Sequence, residues 1–248
     1  MERRIETINR LLLPLSFAGI MAVLYLTFEW VPVERSEGLV QRIFYIHVPI
    51  SWTAFLAFFV VFVASIMYLW KREERWDWLA VSAAELGLLM TSLSLITGSI
   101  WGRPTWGVWW TWDPRLTSTL LLWMIYVAYM MARAYTSEPG RGSRFAAVIG
   151  ILGFADVPIV YFSVVWWQNI HPQPLIKPGD LELTGRMTAT LFVSLLAFTM
   201  LFASLLIRRY LLQALSSELA SIRRKLREEE EDARLANVRI GRAEEGRQ

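Results

Sequence analysis

The sequence has no cysteine, and only two of its 248 residues are histidine. The chain therefore cannot use a thiol for catalysis, for metal binding or for a disulfide. Charge is also scarce over long stretches, because the apolar residues, 55% of the total, lie in blocks rather than in a short alternating pattern. This distribution argues against a soluble domain and points to the membrane.

The uncharged blocks predict membrane-spanning helices. A bilayer core about 30 Å thick needs roughly 20 helical residues to cross it, since lipid offers backbone polar groups no other partner. Six segments meet this requirement: Leu11–Phe28, Ser51–Trp70, Leu79–Ile100, Leu116–Tyr135, Phe145–Trp167 and Met187–Ile207. We expect an all-α integral membrane protein, built as a bundle of six transmembrane helices with loops on its outer face.

Lysine and arginine near the span ends predict the orientation. One side of the predicted bundle is richer in them: Arg3, Arg4, Arg10, Lys71, Arg72, Arg75, Arg133, Arg141, Arg144, Arg208 and Arg209. Each loop on the other side has only two: Arg35 and Arg42, Arg103 and Arg115, Lys177 and Arg186. Positive residues stay on the cytoplasmic side, so both termini are predicted to be cytoplasmic. The net charge of +3 reflects this bias and gives no indication of nucleic acid binding.

Two regions follow from this pattern, a six-span membrane domain (residues 1–207) and a charged cytoplasmic tail (residues 208–248) that we expect to be helical. Apolar residues recur in the tail at alternating spacings of three and four: Leu212, Leu215, Leu219, Ile222 and Leu226. Two heptads make a short coiled-coil seam. A solvated helix is therefore favoured over a helix that docks on a partner.

Tryptophan is unusually dense in the second predicted outer loop. The chain has 13 tryptophans, and five of them are Trp101, Trp106, Trp109, Trp110 and Trp112. An aromatic belt at the headgroup layer needs only one or two tryptophans at each helix end. It explains seven of the others: Trp30, Trp52, Trp70, Trp76, Trp78, Trp166 and Trp167. Because Gly102, Pro104 and Gly107 interrupt the segment, we expect an irregular loop whose indole rings form a platform for a large, flat, apolar ligand.

The Asp113-Pro114 pair closes this segment and predicts the start of a helix, with Asp113 as its N-cap. A direct role of Asp113 towards a ligand stays open.

Both histidines, His47 and His171, fall in predicted outer loops. The residues from Leu39 to His47 place apolar side chains on one helical face, which predicts a short surface helix that ends before Pro49. Each histidine alone is typical of an interfacial side chain. As a pair flanking the tryptophan-rich segment, they are interpreted as axial ligands of an iron macrocycle.

Three arginines lie close to these residues: Arg42, Arg103 and Arg115. They suit carboxylates at the rim of a ligand, although snorkelling at the interface remains an alternative.

Two acidic residues, Glu85 and Asp156, fall inside predicted spans. Carboxylates in a membrane are costly and are candidates for function. Because no lysine or arginine lies at their depth, we expect hydrogen bonds to Ser, Thr or Trp of neighbouring helices rather than a transport role.

The segment from Trp101 to Asp113 closely resembles the WWxWD signature of the haem handling proteins. Within that superfamily, Tyr45-Ile46-His47-Val48-Pro49 is similar to the segment before the second span of the cytochrome c maturation protein C family, also called haem exporter protein C. The run Val157–Val164, followed by Trp166-Trp167 and His171, resembles a histidine-bearing region of the same family. The resemblance covers residues 40 to 206.

The resemblance implies that the protein is not an enzyme. It implies transient binding of haem b at the outer face of the bacterial cytoplasmic membrane and delivery to a membrane-anchored haem chaperone during cytochrome c biogenesis. His47 and His171 would be the axial ligands. The segment from Trp109 to Asp113 would hold the porphyrin and contact the chaperone, and Arg42 and Arg115 would contact propionates or the chaperone. The implied partners are the ATPase and membrane subunits of an ABC transporter and a small single-span accessory subunit.

The sequence departs from the family pattern in two places, at Pro172-Gln173 after the second histidine and in the length of the tail.

Three other functions are alternatives to this one. A membrane glycosyltransferase can carry a WWD-like motif on the outer face, but it needs an acidic metal site that the first outer loop lacks. A cytochrome b subunit linked to quinones places its haem histidines within spans, whereas both histidines here are predicted outside. A solute carrier would need broken helices arranged as repeats, and only Asp156 hints at such a site.

Overall fold

The computed structural model describes residues 2–35, 37–134, 141–167, 176–177, 180–181 and 185–245. The α-helices of this part are α1 (Glu2–Tyr25), α2 (Phe44–Lys71), α3 (Glu74–Trp106), α4 (Pro114–Ala134), α5 (Arg141–Phe154), α6 (Asp156–Trp166) and α7 (Gly185–Glu245). A π-helical turn, Leu26–Trp30, extends α1, and a 3₁₀ helix, Leu39–Ile43, leads into α2. Strands β1 (Ile176–Lys177) and β2 (Asp180–Leu181) pair as a short antiparallel hairpin.

Six helical stretches of the described residues are long and apolar enough to cross a membrane, which confirms the predicted six-span bundle. The stretches are Glu6–Trp30, Leu39–Lys71, Glu74–Trp106, Pro114–Ala134, Arg141–Trp166 and Gly185–Glu231. Large apolar side chains such as Leu11, Phe59 and Leu152 are exposed on the outside of the bundle. In a bilayer these side chains contact lipid, which is as apolar as they are.

The centre of the bundle is the contact between α2 and α3, against which α4, α5 and α7 pack, while α1 packs on α7. Small residues let these helices approach closely. A Cβ atom on Gly87 of α3 would lie 2.5 Å from the ring of Phe58 on α2. Phe58 in turn stacks on Tyr126 of α4, with ring centroids 3.7 Å apart. These contacts make α2, α3 and α4 one packed unit.

The fifth span is broken at Ala155, between α5 and α6. Pro158 lies in the first turn of α6, a position that tolerates the missing N–H. The break places Asp156 at the start of α6, where its side chain is buried. No described residue donates a hydrogen bond to its Oδ2, so the predicted bond to Ser, Thr or Trp is not found at that oxygen.

The predicted surface helix before Pro49 is only partly correct. The segment begins as the 3₁₀ helix Leu39–Ile43, but it continues into α2 without a break, and Pro49 lies inside α2. Membrane helices tolerate proline where nearby hydroxyl groups bond the backbone carbonyls of that turn. Ser51 Oγ donates to the His47 carbonyl at 2.9 Å, and Thr53 Oγ1 donates to the Pro49 carbonyl at 3.0 Å. His47 therefore belongs to the first turns of α2.

Ion pairs tie the helices together at the opposite end of the bundle, which we call the tail end because α7 extends beyond it. Asp77 of α3 accepts hydrogen bonds from Arg133 Nη1 at 2.5 Å and Nη2 at 2.7 Å, and from Ser143 Oγ of α5 at 2.9 Å. Both members of the ion pair are largely buried, with side chains 20% and 13% exposed. The cluster joins α3, α4 and α5.

The expectation that Glu85 lacks a cationic neighbour is wrong. Arg209 of α7 pairs with Glu85, its Nε donating to Oε2 at 2.6 Å, and Gln213 Nε2 lies 3.5 Å from Oε1. Arg209 follows the predicted last span by two residues, and its long side chain reaches back to the carboxylate.

Helix α7 runs through the predicted boundary at residue 207 without interruption. The tail is therefore helical as far as Glu245, as expected, whereas the division into two domains stays a prediction.

Candidate functional site

A cavity of about 770 Å³ lies at the other end of the bundle, which we call the cavity end. Helices α2, α3, α4, α6 and α7 all contribute to its wall, and most of the lining is apolar. Its volume falls within the roughly 300–1,000 Å³ range of ligand pockets in proteins. Four of the residues selected from the sequence line it: His47, Trp101, Trp106 and Arg115.

His47 is held by a hydrogen bond between α2 and α3. Its Nδ1 lies 2.8 Å from Thr97 Oγ1, and Thr97 Oγ1 donates its own proton to the Leu93 carbonyl at 2.7 Å. Because a hydroxyl group has a single proton, Thr97 accepts from Nδ1–H of the histidine. The Nε2 nitrogen then carries the lone pair, which is the form of imidazole that binds a metal.

The packing around His47 fixes the position of its ring. Trp101 meets it edge to face, with ring centroids 5.7 Å apart. Gly98 also lies close to the ring, since an added Cβ atom would be only 3.2 Å from the imidazole Cε1. A glycine at this position leaves room for the ring beside the cavity.

The expected irregular loop begins later than predicted. Helix α3 continues through Gly102 and Pro104 to Trp106 and ends only at Gly107, whose φ of +79° favours glycine. Trp101 and Trp106 are therefore helical residues that face the cavity. Trp101 is further fixed by Glu37 Oε2, which accepts its indole N–H at 3.1 Å.

The other three tryptophans lie outside the cavity lining, on the segment between α3 and α4. Trp109 and Trp112 are 60% and 75% exposed, and Trp110 packs edge to face on Trp112 at 5.6 Å. The structure thus divides the predicted platform into two sets of rings, one in the cavity wall and one on the surface beside α4.

Asp113 is the N-cap of α4, as predicted. Its Oδ1 accepts the backbone N–H groups of Arg115 at 3.0 Å and Leu116 at 3.2 Å, and its Oδ2 accepts the Thr111 hydroxyl at 2.6 Å. The cap fixes the exit of the tryptophan segment into α4.

The three arginines have different surroundings. Arg115 lines the cavity. Arg42 has a buried Nε that bonds to no described residue. Arg103 donates to the Gly107 carbonyl and so holds the end of α3 rather than the cavity. Only Arg115 is placed in the wall of the cavity itself.

His171 lies outside the described residues, so its position relative to His47 stays a prediction. The sequence interpretation also missed Glu37, Thr97 and Gly98. Spacing could have indicated two of them, because Thr97 and Gly98 share the helical face of Trp101, four and three residues before it. Glu37 carried no signal that distinguished it from any other acidic residue of a loop.

The fold and the cavity define a class, a polytopic membrane protein with a largely apolar cavity whose lining includes tryptophan and histidine. The chain belongs to the Heme exporter protein C (CcmC) family, whose family model matches residues 2–225.

Curated relatives agree with this family. The Heme exporter protein C of Bradyrhizobium diazoefficiens is 38% identical over 175 residues, which are 70% of this chain and 66% of the relative. That of Escherichia coli is 32% identical over 199 residues, 77% of this chain and 80% of the relative. A ccmC-like mitochondrial protein of Marchantia polymorpha, named for cytochrome c biosynthesis, is 30% identical over 182 residues, 73% of this chain and 77% of the relative.

Proposed function

We propose that this protein binds haem b transiently in the cavity and delivers it to a membrane-anchored haem chaperone for cytochrome c assembly. The family name describes a haem exporter, and the mitochondrial relative is named for cytochrome c biosynthesis. The observation that carries the proposal is His47, an imidazole in an apolar wall whose Nδ1 lies 2.8 Å from Thr97 Oγ1. Histidines that bind metals usually have the second nitrogen fixed in this way.

The cavity fits the chemistry of haem as a cargo. Haem is a large, flat, apolar molecule with carboxylates on one edge. Trp101 and Trp106 offer aromatic surface within the cavity, and Arg115 offers a cation for a propionate group. Arg42, whose Nε bonds to no described residue, is the second candidate for a propionate or for the chaperone.

The exposed rings of Trp109 and Trp112 suit a different step. They do not line the cavity. We therefore propose that, with Trp110 and Asp113, they contact the edge of the haem that protrudes from the cavity and also contact the chaperone. Aromatic residues that are exposed and rigid are enriched at protein interfaces.

His171 is proposed as the second axial ligand, opposite His47. Two neutral imidazoles form a strong ligand field, so the bound haem is expected to be six-coordinate and low-spin. The proposal places both histidines on the outer face of the bacterial cytoplasmic membrane, following the lysine and arginine bias of the loops. The protein acts as a carrier beside the two components of an ABC transporter and a small single-span subunit, without chemical conversion of haem.

The cytochrome b and glycosyltransferase alternatives both lose support. A cytochrome b subunit has its haem histidines within spans, and His47 lies in α2 rather than outside a span as predicted, so its position does not exclude this alternative. Membership of the Heme exporter protein C family now sets that alternative aside, and it does the same for the glycosyltransferase.

The absorption spectrum of the purified protein titrated with haem tests the proposal. We expect a low-spin spectrum for the natural sequence, weaker binding without that spectrum for His47→Ala or His171→Ala, and no stable binding for the double variant. Val48→Ala is the matched control, because Val48 also lines the cavity but cannot bind iron. A low-spin spectrum that persists in the double variant would show that other residues hold the iron.

A further inference from the structure

The part of α7 that follows the last predicted span carries a stripe of exposed apolar side chains. Each member is about half exposed: Leu212 54%, Leu215 56%, Leu219 55%, Ile222 47% and Leu226 53%. Over these fifteen residues, about 22 Å of helix, the stripe keeps the alternating spacing of a heptad seam. An apolar seam of this kind is rarely left in water.

The orientation of the stripe is fixed, because the opposite side of α7 is docked on α3. Arg209 and Gln213 bond to Glu85, and Ser217 Oγ donates to Glu74 at 3.3 Å. At about 100° per residue, the stripe is centred about 140° away from this docked face. It therefore lies on the side of α7 that faces away from α3, the side on which α1 packs within the membrane.

The charges beside the stripe complement a second copy of themselves. With the leucines at positions 212, 219 and 226 taken as a, the g positions are Glu218 and Lys225, and the e positions are Arg223 and Glu230. In a parallel pair, each g residue meets the e residue five positions later on the other helix. Glu218 then faces Arg223 of the second copy, and Lys225 faces Glu230, so both contacts join opposite charges.

The membrane favours this parallel arrangement. Two copies of the chain in one bilayer have their tails on the same side and pointing in the same direction, and confinement raises the effective concentration of a short seam. Within the membrane, the same side of α7 contacts α1, where Asn9 and Ser204 lie 2.7 Å apart. The tails must lean together past α1, and a tilt of about 20° is ordinary for membrane helices.

We propose that the tails of two copies of this chain pair through residues Leu212 to Leu226 as a parallel coiled coil. The interaction is independent of haem binding, since it uses no residue of the cavity. The next d position is occupied by Glu229, whose charge does not suit the apolar seam. The predicted contact therefore ends at the acidic run Glu228–Asp232.

The absence of cysteine makes a single introduced thiol a clean probe. Ile222→Cys, in the seam, should form a disulfide between two copies when native membranes are oxidised, giving a species of twice the mass. Arg224→Cys, at the outward f position two residues later, should not, because its Cα atoms would lie beyond the roughly 7 Å that a disulfide can bridge. No cross-link at Ile222→Cys, or equal cross-linking at both positions, would overturn the proposal.

Charge exchange tests the register. Glu218→Arg in the Ile222→Cys background should reduce the cross-linked fraction several-fold, and Glu218→Arg with Arg223→Glu should restore it. If the double exchange does not restore cross-linking, the proposed pairing is wrong. The haem spectrum should be unchanged in all these variants, which separates this test from that of the proposed function.

Discussion

The two ends of the bundle are built from different chemistry. At the tail end, Asp77, Arg133 and Ser143 join three helices, and Glu85 and Arg209 join α3 to α7. At the cavity end, aromatic rings, hydroxyl groups and the imidazole of His47 surround open space. If the cavity binds haem as proposed, stability and binding are carried by separate sets of residues, and the packed tail end supports the open site. Substitutions at the two ends should therefore affect different measurements.

The largest effect is expected from Asp77→Ala at the tail end. The substitution leaves the Arg133 guanidinium, in a side chain only 20% exposed, without its carboxylate. Removing one partner of a buried ion pair costs about 3 kcal/mol of unfolding free energy. Equilibrium unfolding in detergent measures the loss, and haem affinity of the folded fraction should not change.

Glu73→Ala is the control for this prediction, since Glu73 pairs with Arg75 in a pair about half exposed. Its loss should cost less than about 1 kcal/mol. If Asp77→Ala lowered the free energy of haem binding as much as the free energy of unfolding, the tail end would contribute to binding as well as to stability.

The next effect is expected from Thr97→Val at the cavity end. Valine keeps the shape of threonine but cannot accept the Nδ1–H of His47, so the imidazole loses its orientation. Loss of such a partner typically lowers metal affinity by about 10- to 100-fold. Haem titration measures the affinity, and the reduction potential of the bound haem should shift, which a purely structural change would not produce.

Thr97→Ser should restore both values, because serine keeps the accepting oxygen. Thr105→Val, which removes a hydroxyl bonded to the Trp101 carbonyl further along α3, should leave both unchanged. An unaltered reduction potential in Thr97→Val would show that Thr97 does not orient a haem ligand.

The smallest effect on haem affinity is expected when Trp109, Trp110 and Trp112 are all replaced by Ala. These rings lie outside the cavity lining, so binding should weaken only a few-fold, whereas transfer to the chaperone should be lost. Haem titration measures binding, and a transfer assay measures delivery to the chaperone. Trp70→Ala is the control, because the Trp70 side chain is also exposed (76%) but lies at the tail end. If the triple variant lost as much haem affinity as His47→Ala, these three rings would be part of the haem-binding site.

Much of the fold could be predicted from the sequence, and the candidate site only in part. His47, Trp101, Trp106 and Arg115 were selected from the sequence and line the cavity. The cap by Asp113 was also predicted, because capping depends on residues adjacent in the chain. Thr97 was missed, since its role arises from a bond to a residue 50 positions earlier on another helix.

The sequence by itself determined the six spans, because lipid forces every backbone polar group of a crossing segment to be satisfied within that segment. An apolar block of sufficient length therefore forms a membrane-spanning helix whichever segments lie next to it. Only the tertiary structure decided that His47 faces a cavity, that the tryptophans divide into two sets, and that Glu85 meets Arg209, 124 residues later. These features depend on which helices pack together, and helix packing is set by side-chain shape rather than by hydrophobicity.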